Sequence, residues 1–207
     1  MHARTTHLQA DRTKIDEGIA LVRDETIPAV TAMTGCVGMS LLVDRESGQC
    51  IATTAWESQD AMAASAEQVR PLRDKAQQVL GASTSDVDQW EVSVVHRDHA
   101  TPQGACARVT WVSGAPGGSE RVVDVYKMAI LPRLEELEGF CSASLMTNPE
   151  TGRAVGTVTF ESREHMERSR DKTTSIREAA VKEMGAKVDR VAEMEVAQAH
   201  LHVPEMA

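Results

Sequence analysis

The sequence has few aromatic residues, no long apolar run and no closely spaced pair of cysteines. Three Trp, one Tyr and two Phe make up 3% of the 207 residues, so aliphatic side chains and ten Met must form most of the core. No stretch approaches the roughly 20 apolar residues that a membrane-spanning helix requires. Residues 1–18 contain no apolar segment of the kind found in a secretory signal. We therefore expect a cytoplasmic protein with no membrane partner.

The charge balance excludes further classes of partner. Acidic residues outnumber basic residues by 31 to 22, which gives a formal net charge of −9. A protein that binds nucleic acid needs a positive field, and neither half of this chain supplies one. The cysteines form no CxxC pair, which argues against a zinc site; they are Cys36, Cys50, Cys106 and Cys141. We expect no nucleic-acid partner and no metal ion.

The chain repeats itself with an offset of 104 residues. Residues 27–96 align with residues 131–200 without a gap, and 19 of these 70 positions are identical. This is far more than a shared composition would produce, so we infer a tandem duplication. The predicted repeats are residues 1–100 and residues 101–207, with a polar linker at 97–105.

Each repeat shows the same order of predicted elements, namely strand, helix, strand, strand, helix and strand. In the first repeat, apolar residues three and four apart over residues 15–30 predict the first helix. The turn sequence at 45–48 predicts a β-hairpin, and an apolar stripe over 62–79 predicts the second helix. Pro71 has no counterpart in the second repeat, so we expect a kink or break in the first copy only.

This order predicts the fold. Two helices can cover only one face of a four-stranded sheet, and the other face must pack against a partner. The neighbouring repeat supplies that partner. We predict an α+β protein in which two tandem ferredoxin-like βαββαβ units pack their antiparallel sheets into an intramolecular, pseudo-dimeric α/β barrel. Whether two chains associate further into a homodimer is left open by the sequence.

The pattern resembles the antibiotic biosynthesis monooxygenase-like (ABM) domain of the dimeric α/β-barrel superfamily. The residues that carry the resemblance are Ile27-Pro28 before Gly35, the hairpin GxxxxxLLVDxxSG, and TTAWES followed by the helix at Met62. The second repeat has LP, GFCSASL, ETG and TFES at the same places. The resemblance covers nearly the whole chain. It implies a cleft between sheet and helices, used either for cofactor-free oxygenation of aromatic polyketides to quinones or for haem degradation.

The haem-degrading pattern fits this sequence less well. Those members use an Asn on the first strand, a Trp, and a His on the second long helix. Here the two predicted first strands contain no Asn, the helix at 61–80 contains no His, and His165 lies only in the first turn of its helix. The resemblance therefore favours a protein without a cofactor, with haem as the less favoured alternative.

Three residues are the candidate catalytic groups. Tyr126, the only Tyr, lies on the apolar stripe of its helix, where it could orient a substrate or donate a proton; alternatively it is a packing residue. His96 and His200 repeat in register at the end of the last strand of each copy. They could act as general acids or bases, or they could bond to backbone carbonyls in a purely structural role.

Three further residues are candidates for binding the substrate. Trp111 and His7 occupy equivalent positions on the first strands, and Trp56 lies near a strand end. Each could equally be a packing residue. Arg73 and Arg177 also repeat; they could form ion pairs with neighbouring helices, and we do not expect them to be catalytic.

The functional prediction is a cofactor-independent monooxygenase-like protein that acts on a small hydrophobic or aromatic molecule in a cleft between sheet and helices. The alternative is a non-catalytic barrel that binds haem, a lipid or a polyketide, or that serves as a stress-related protein. Four of the six aromatic rings lie where the other copy has none. We therefore expect any chemistry to lie in one half, namely the half that contains Tyr126.

Overall fold

The computed structural model describes residues 1–201 and 204–206, which divide into two compact units. Of these residues, unit 1 contains 1–90 and 196–201, and unit 2 contains 91–195 and 204–206. The last strand of each sequence repeat therefore contributes residues to both units. The predicted limits 1–100 and 101–207 describe the duplication of the sequence, and they stay a prediction.

Unit 1 follows the predicted order of elements. Its strands are β1 (His2–Gln9), β2 (Cys36–Val43), β3 (Gln49–Trp56) and the first part of β4 (Ser85–Arg97). Its α-helices are α1 (Ile15–Leu21), α2 (Ile27–Thr31), α3 (Gln59–Ala64) and α4 (Ala66–Val79). A 3-10 turn at Arg12–Lys14 precedes α1, and a π-helical turn at Val22–Thr26 joins α1 to α2.

Unit 2 repeats this order. Its strands are β5 (Cys106–Ser113), β6 (Phe140–Asn148), β7 (Arg153–Phe160) and the first part of β8 (Lys187–Leu201). Its α-helices are α5 (Ser119–Val125), α6 (Leu131–Glu135), α7 (Arg163–Arg168) and α8 (Arg170–Met184), with a π-helical turn at Tyr126–Ile130 between α5 and α6.

The strand pairs described below are antiparallel. In unit 1, β3 lies between β1 and β2, with Thr53 opposite both Thr5 and Ser40. In unit 2, β7 lies between β5 and β6, β8 pairs with β5, and β4 pairs with β6. The full hydrogen-bonded order is β1-β3-β2-β8-β5-β7-β6-β4, a closed eight-stranded barrel. The predicted α+β fold with two ferredoxin-like units is confirmed.

Local sequence explains where the helices begin and end. Gly35 and Gly139 have φ values of 75° and 73°, a left-handed conformation that favours glycine, and each ends the first helical segment of its repeat. Ser58 and Ser162 accept hydrogen bonds from the backbone amides three residues later and so cap α3 and α7. These signals recur because the duplicated sequence retains them.

The helices differ from the prediction in two places. The first helix of each repeat is interrupted by a π-helical turn. The spacing of apolar residues does not reveal this turn, because one inserted residue leaves the apolar stripe almost unchanged. The second helix is not broken at Pro71, since α4 runs through it. The interruption lies instead at Ser65, and at the equivalent Ser169 in the second copy.

The core of each unit is mostly aliphatic, as the composition requires. Met62 and Met166, at equivalent positions, have exposed fractions of 1% and 0%. The unbranched, flexible side chain of methionine adapts to irregular gaps, so it can fill space that aromatic rings would otherwise fill in such a core. Within the described residues, no helix has both the length and the apolar character needed to cross a membrane.

Candidate functional site

A cavity lies between the sheet and the helices of unit 2. It is partly open to solvent. Strands β5, β6 and β7 form one wall, and α5, the π-helical turn and α8 contribute to the other. The wall is mostly apolar; among its residues are Val112, Val122, Leu145, Val158, Ile176 and Met184. An apolar lining of this kind suits a small, largely apolar molecule.

Tyr126 is the aromatic residue of this wall. It is buried, its ring lies against Gly156, and its hydroxyl donates a hydrogen bond to the carbonyl oxygen of Ser144 at 3.2 Å. Burial raises the pKa of this phenol well above its ordinary value. The hydroxyl is therefore protonated at neutral pH, when it can donate a hydrogen bond but cannot act as a base.

The π-helical turn places Tyr126 and Ile130, its first and last residues, on the cavity wall. The equivalent turn in unit 1 also contributes both of its ends, Val22 and Thr26, to a cavity there. Single π-helical turns inside α-helices are frequent at functional sites. The presence of one at the same place in both repeats marks this segment as part of the candidate site.

Arg108 on β5 is the most extensively bonded polar residue of the wall. It is buried, and its guanidinium donates to Glu193 at 2.8 Å, to Thr173 at 2.5 Å and to the carbonyl oxygen of Met166 at 2.7 Å. Sequence reasoning missed this residue. The available signal was Arg4, which stands at the equivalent place, so that each first strand carries an arginine among residues that otherwise predict a buried strand.

Arg177 on α8 is the second cation of the wall. It is half-buried and donates to the hydroxyl of Thr174 at 3.2 Å. Burial, together with the nearby charge of Arg108, lowers the pKa of its guanidinium. Within residues 1–201 and 204–206, no carboxylate forms an ion pair with Arg177. The ion pair expected from the sequence is thus not present among the described residues, and the cavity retains a positive group.

The structure separates the three predicted catalytic residues. Tyr126 lies on the cavity wall, whereas the ring of His96 is held outside it by Glu135 at 2.8 Å and by Glu205 at 2.6 Å. The His96 ring also stacks on Phe140, with 6.2 Å between centroids. His200 is exposed on the part of β8 that belongs to unit 1. Their assignment as a catalytic set stays a prediction.

The predicted binding residues lie in packed surroundings. Trp111 is buried, with the guanidinium of Arg190 3.9 Å from its ring centroid. The His7 ring lies 3.9 Å from a carboxylate oxygen of Asp88. Trp56 has an exposed fraction of 0%. None of the three is among the described residues that line the two cavities of the units.

The thiols and the acidic side chains do not form a reactive centre. Burial raises the pKa of Cys50 and of Cys141 to about 11 in each case, so both thiols are protonated at neutral pH. Among the described residues, no group of three or more His, Cys, Asp or Glu side chains could hold a metal ion. The polar side chains that line the cavity are those of Arg108, Thr110, Tyr126, Thr173 and Arg177.

The state of Tyr126 gives a first prediction. Because the folded-state pKa is raised, the stability contributed by the protonated hydroxyl is complete below the unfolded value of about 10 and is lost as pH rises above it. We expect Tyr126→Phe to cost about 1 kcal/mol at neutral pH, through the lost hydrogen bond. The variant should then lose less stability than the wild type above about pH 10. Urea unfolding over this range measures both effects, and parallel pH profiles would contradict the assignment.

Comparisons with known proteins identify both relatives and structural neighbours. No family model matches the chain. The uncharacterised proteins Rv2557 and Rv2558 of Mycobacterium tuberculosis are 47% and 48% identical to it over 206 and 207 residues. The alignments cover 100% of this chain and 92% and 87% of the relatives, respectively.

The structural neighbours share the fold at low sequence identity. An anthrone oxidase-like protein matches with a TM-score of 0.66 and 14% identity, over 99% of this chain and 93% of its own. A ferredoxin-fold protein related to antibiotic biosynthesis monooxygenases, from Listeria monocytogenes, matches with a TM-score of 0.52 and 8% identity, over 94% of each chain. A heme-degrading enzyme from the same species has a TM-score of 0.52 and 9% identity, over 95% and 99%. These matches confirm the predicted ABM-like fold.

Proposed function

We propose, from the premise that this chain belongs to the family of Rv2557 and Rv2558 and has an ABM-like fold, that the cavity of unit 2 binds a small aromatic molecule and supports its cofactor-independent oxygenation. The observation that carries the proposal is the position of Arg177, which forms no ion pair with a carboxylate among the described residues, on a mostly apolar wall. Such a group attracts a substrate that becomes negatively charged during the reaction.

The proposed chemistry needs only a substrate that can form a stabilised anion. An anthrone-type molecule loses a proton from its methylene carbon to solvent water, which reaches the partly open cavity, and the resulting negative charge lies on the phenolate-like oxygen. Arg177 stabilises that oxygen, and the electron-rich carbon reacts with dioxygen. One oxygen atom becomes the new carbonyl group and the other leaves as water with the two methylene hydrogens, so the atoms balance. Tyr126, which stays protonated, orients the rings rather than removing the proton.

The test uses anthrone as the probe, with oxygen uptake and quinone absorbance as paired readouts. We expect Arg177→Gln to lower kcat/KM by about tenfold or more, because it removes a charge that interacts more strongly with the transition state than with the neutral substrate. Lys182→Gln, an exposed change on the same helix, is the matched control and should leave the rate unchanged. Equal rates in the wild type and in Arg177→Gln would contradict the proposal.

Non-catalytic binding is the second candidate, and one observation favours it. The described residues of the wall include no His, Asp or Glu that could serve as a general base. On this view the protein binds the same class of molecule, and anthrone causes no oxygen uptake above the rate without protein. Titration with haem tests a third outcome. A Soret band that appears with the wild type and is lost in Arg177→Gln would indicate haem binding in this cavity and would contradict the cofactor-independent proposal.

A further inference from the structure

A second cavity occupies the equivalent place in unit 1. It is partly open to solvent. Its walls are aliphatic; among their residues are Leu8, Leu41, Val69, Leu72, Ala76 and Leu80. Val22 stands where unit 2 has Tyr126, and no described residue of this wall carries an aromatic ring. The space therefore suits an aliphatic group better than a stacked ring.

Two arginines line this cavity. Arg4 on β1 has an exposed fraction of 5%, and its guanidinium donates to the carbonyl oxygen of Met62 at 2.6 Å and to the hydroxyl of Ser65 at 3.3 Å. Arg73 on α4 is half-buried on the same wall. Within the part of the chain that the structure describes, no carboxylate forms an ion pair with either guanidinium. Two positive charges therefore face one apolar cavity.

The second repeat shows what is missing around Arg4. Arg108 stands at the same place in unit 2 and pairs with Glu193 at 2.8 Å. The position of Glu193 is taken in the first repeat by Gln89, whose side chain is neutral. Unit 2 thus supplies its own counter-charge, whereas unit 1 does not. A buried cation is costly unless an anion accompanies it, so the arrangement in unit 1 favours an anion from outside the chain.

We propose that the cavity of unit 1 is a binding site for an aliphatic carboxylic acid, separate from the cavity of unit 2. The carboxylate pairs with Arg4 and Arg73, and the hydrocarbon chain packs on the aliphatic wall. Guanidinium groups bind carboxylates through paired, charge-assisted hydrogen bonds, which accounts for two arginines on the wall of an apolar space. The site binds this ligand without transforming it, so it does not depend on the oxygenation proposed for unit 2.

Isothermal titration with octanoate and with octanamide, its neutral analogue, tests the proposal. The full-length protein should bind octanoate about tenfold or more tightly than octanamide, since only the carboxylate pairs with the arginines. Arg73→Gln should weaken octanoate binding about tenfold. Gln89→Glu should weaken it to a similar degree, because the new carboxylate supplies Arg4 with a counter-charge from within the chain. Arg70→Gln, an exposed change on the same helix, should leave the affinity unchanged.

Each alternative result has a definite meaning. Equal affinities for octanoate and octanamide, or no octanoate binding by the wild type, would overturn the proposal. Loss of octanoate binding in Arg177→Gln but not in Arg73→Gln would also overturn it, because the acid would then lie in unit 2. Circular dichroism of each variant without ligand separates a lost site from a lost fold, and Gln89→Glu changes only an exposed side chain.

Discussion

We expect Trp56→Ala to lower the free energy of unfolding by about 3–5 kcal/mol, the usual cost of removing a large aromatic side chain from a core. Trp56 has an exposed fraction of 0% and packs in a cluster with Val30, Met62 and Val69. Its indole nitrogen donates to the hydroxyl of Thr54 at 3.1 Å. The substitution therefore leaves a cavity and a buried hydroxyl without its donor. Urea unfolding followed by circular dichroism measures the loss.

The duplicated sequence supplies a matched control for this prediction. Phe160 occupies the equivalent position in unit 2 and is also fully buried. We expect Trp56→Phe to cost about 1–2 kcal/mol, since the ring volume is largely kept while one hydrogen bond is lost. If Trp56→Ala instead left stability unchanged and weakened ligand binding, Trp56 would be a binding residue, as the sequence suggested.

The fold could be predicted because the duplication allows each pattern to be read twice. The hairpin turns, the two capping serines and the glycines at 35 and 139 recur at the same offset, and each recurrence excludes accidental spacing. These signals are local, as they depend on residues only a few positions apart. The number and order of the elements in each repeat then predicted the ferredoxin-like units. The π-helical turns were missed because one inserted residue leaves an apolar stripe almost intact.

The candidate site could be predicted only in part, because its polar groups interact over long sequence separations. Tyr126 was found from the helical stripe alone. Arg108 was not, since its significance depends on Glu193, which lies 85 positions away in the sequence. The difference between the two units likewise depends on Gln89, which replaces Glu193, a change that has a physical meaning only when Arg4 is known to be buried.

The second large effect concerns Arg108. We expect Arg108→Met to lower the free energy of unfolding by about 3 kcal/mol, which is typical when one partner of a buried ion pair is removed. The substitution deprives the carbonyl of Met166 and the hydroxyl of Ser169 of a donor, and it leaves Glu193 with Arg170 as its remaining ionic partner. Urea unfolding at neutral pH measures the loss. Arg4→Met should cost less, about 1–2 kcal/mol, because it removes hydrogen bonds but no ion pair.

The same ion pair predicts a change in acid stability. Burial alone would raise the pKa of Glu193, but hydrogen bonds from Arg170 and Arg108 outweigh it and lower the pKa below its ordinary value. The stability contributed by this carboxylate is therefore present above its unfolded pKa of about 4.3 and is lost as pH falls through the lower folded value. We expect Arg108→Met to lose less stability than the wild type over that acidic range.

A double-mutant cycle isolates the pair itself. Combining Arg108→Met with Glu193→Gln removes both charges, so the double variant should be more stable than the sum of the two single losses predicts, by about 1 kcal/mol or more. Additive losses, together with equal costs for Arg108→Met and Arg4→Met, would show that Glu193 contributes nothing to holding Arg108. Unit 2 would then lack a counter-charge of its own in the same way as unit 1. The contrast on which the carboxylate site of unit 1 depends would no longer hold.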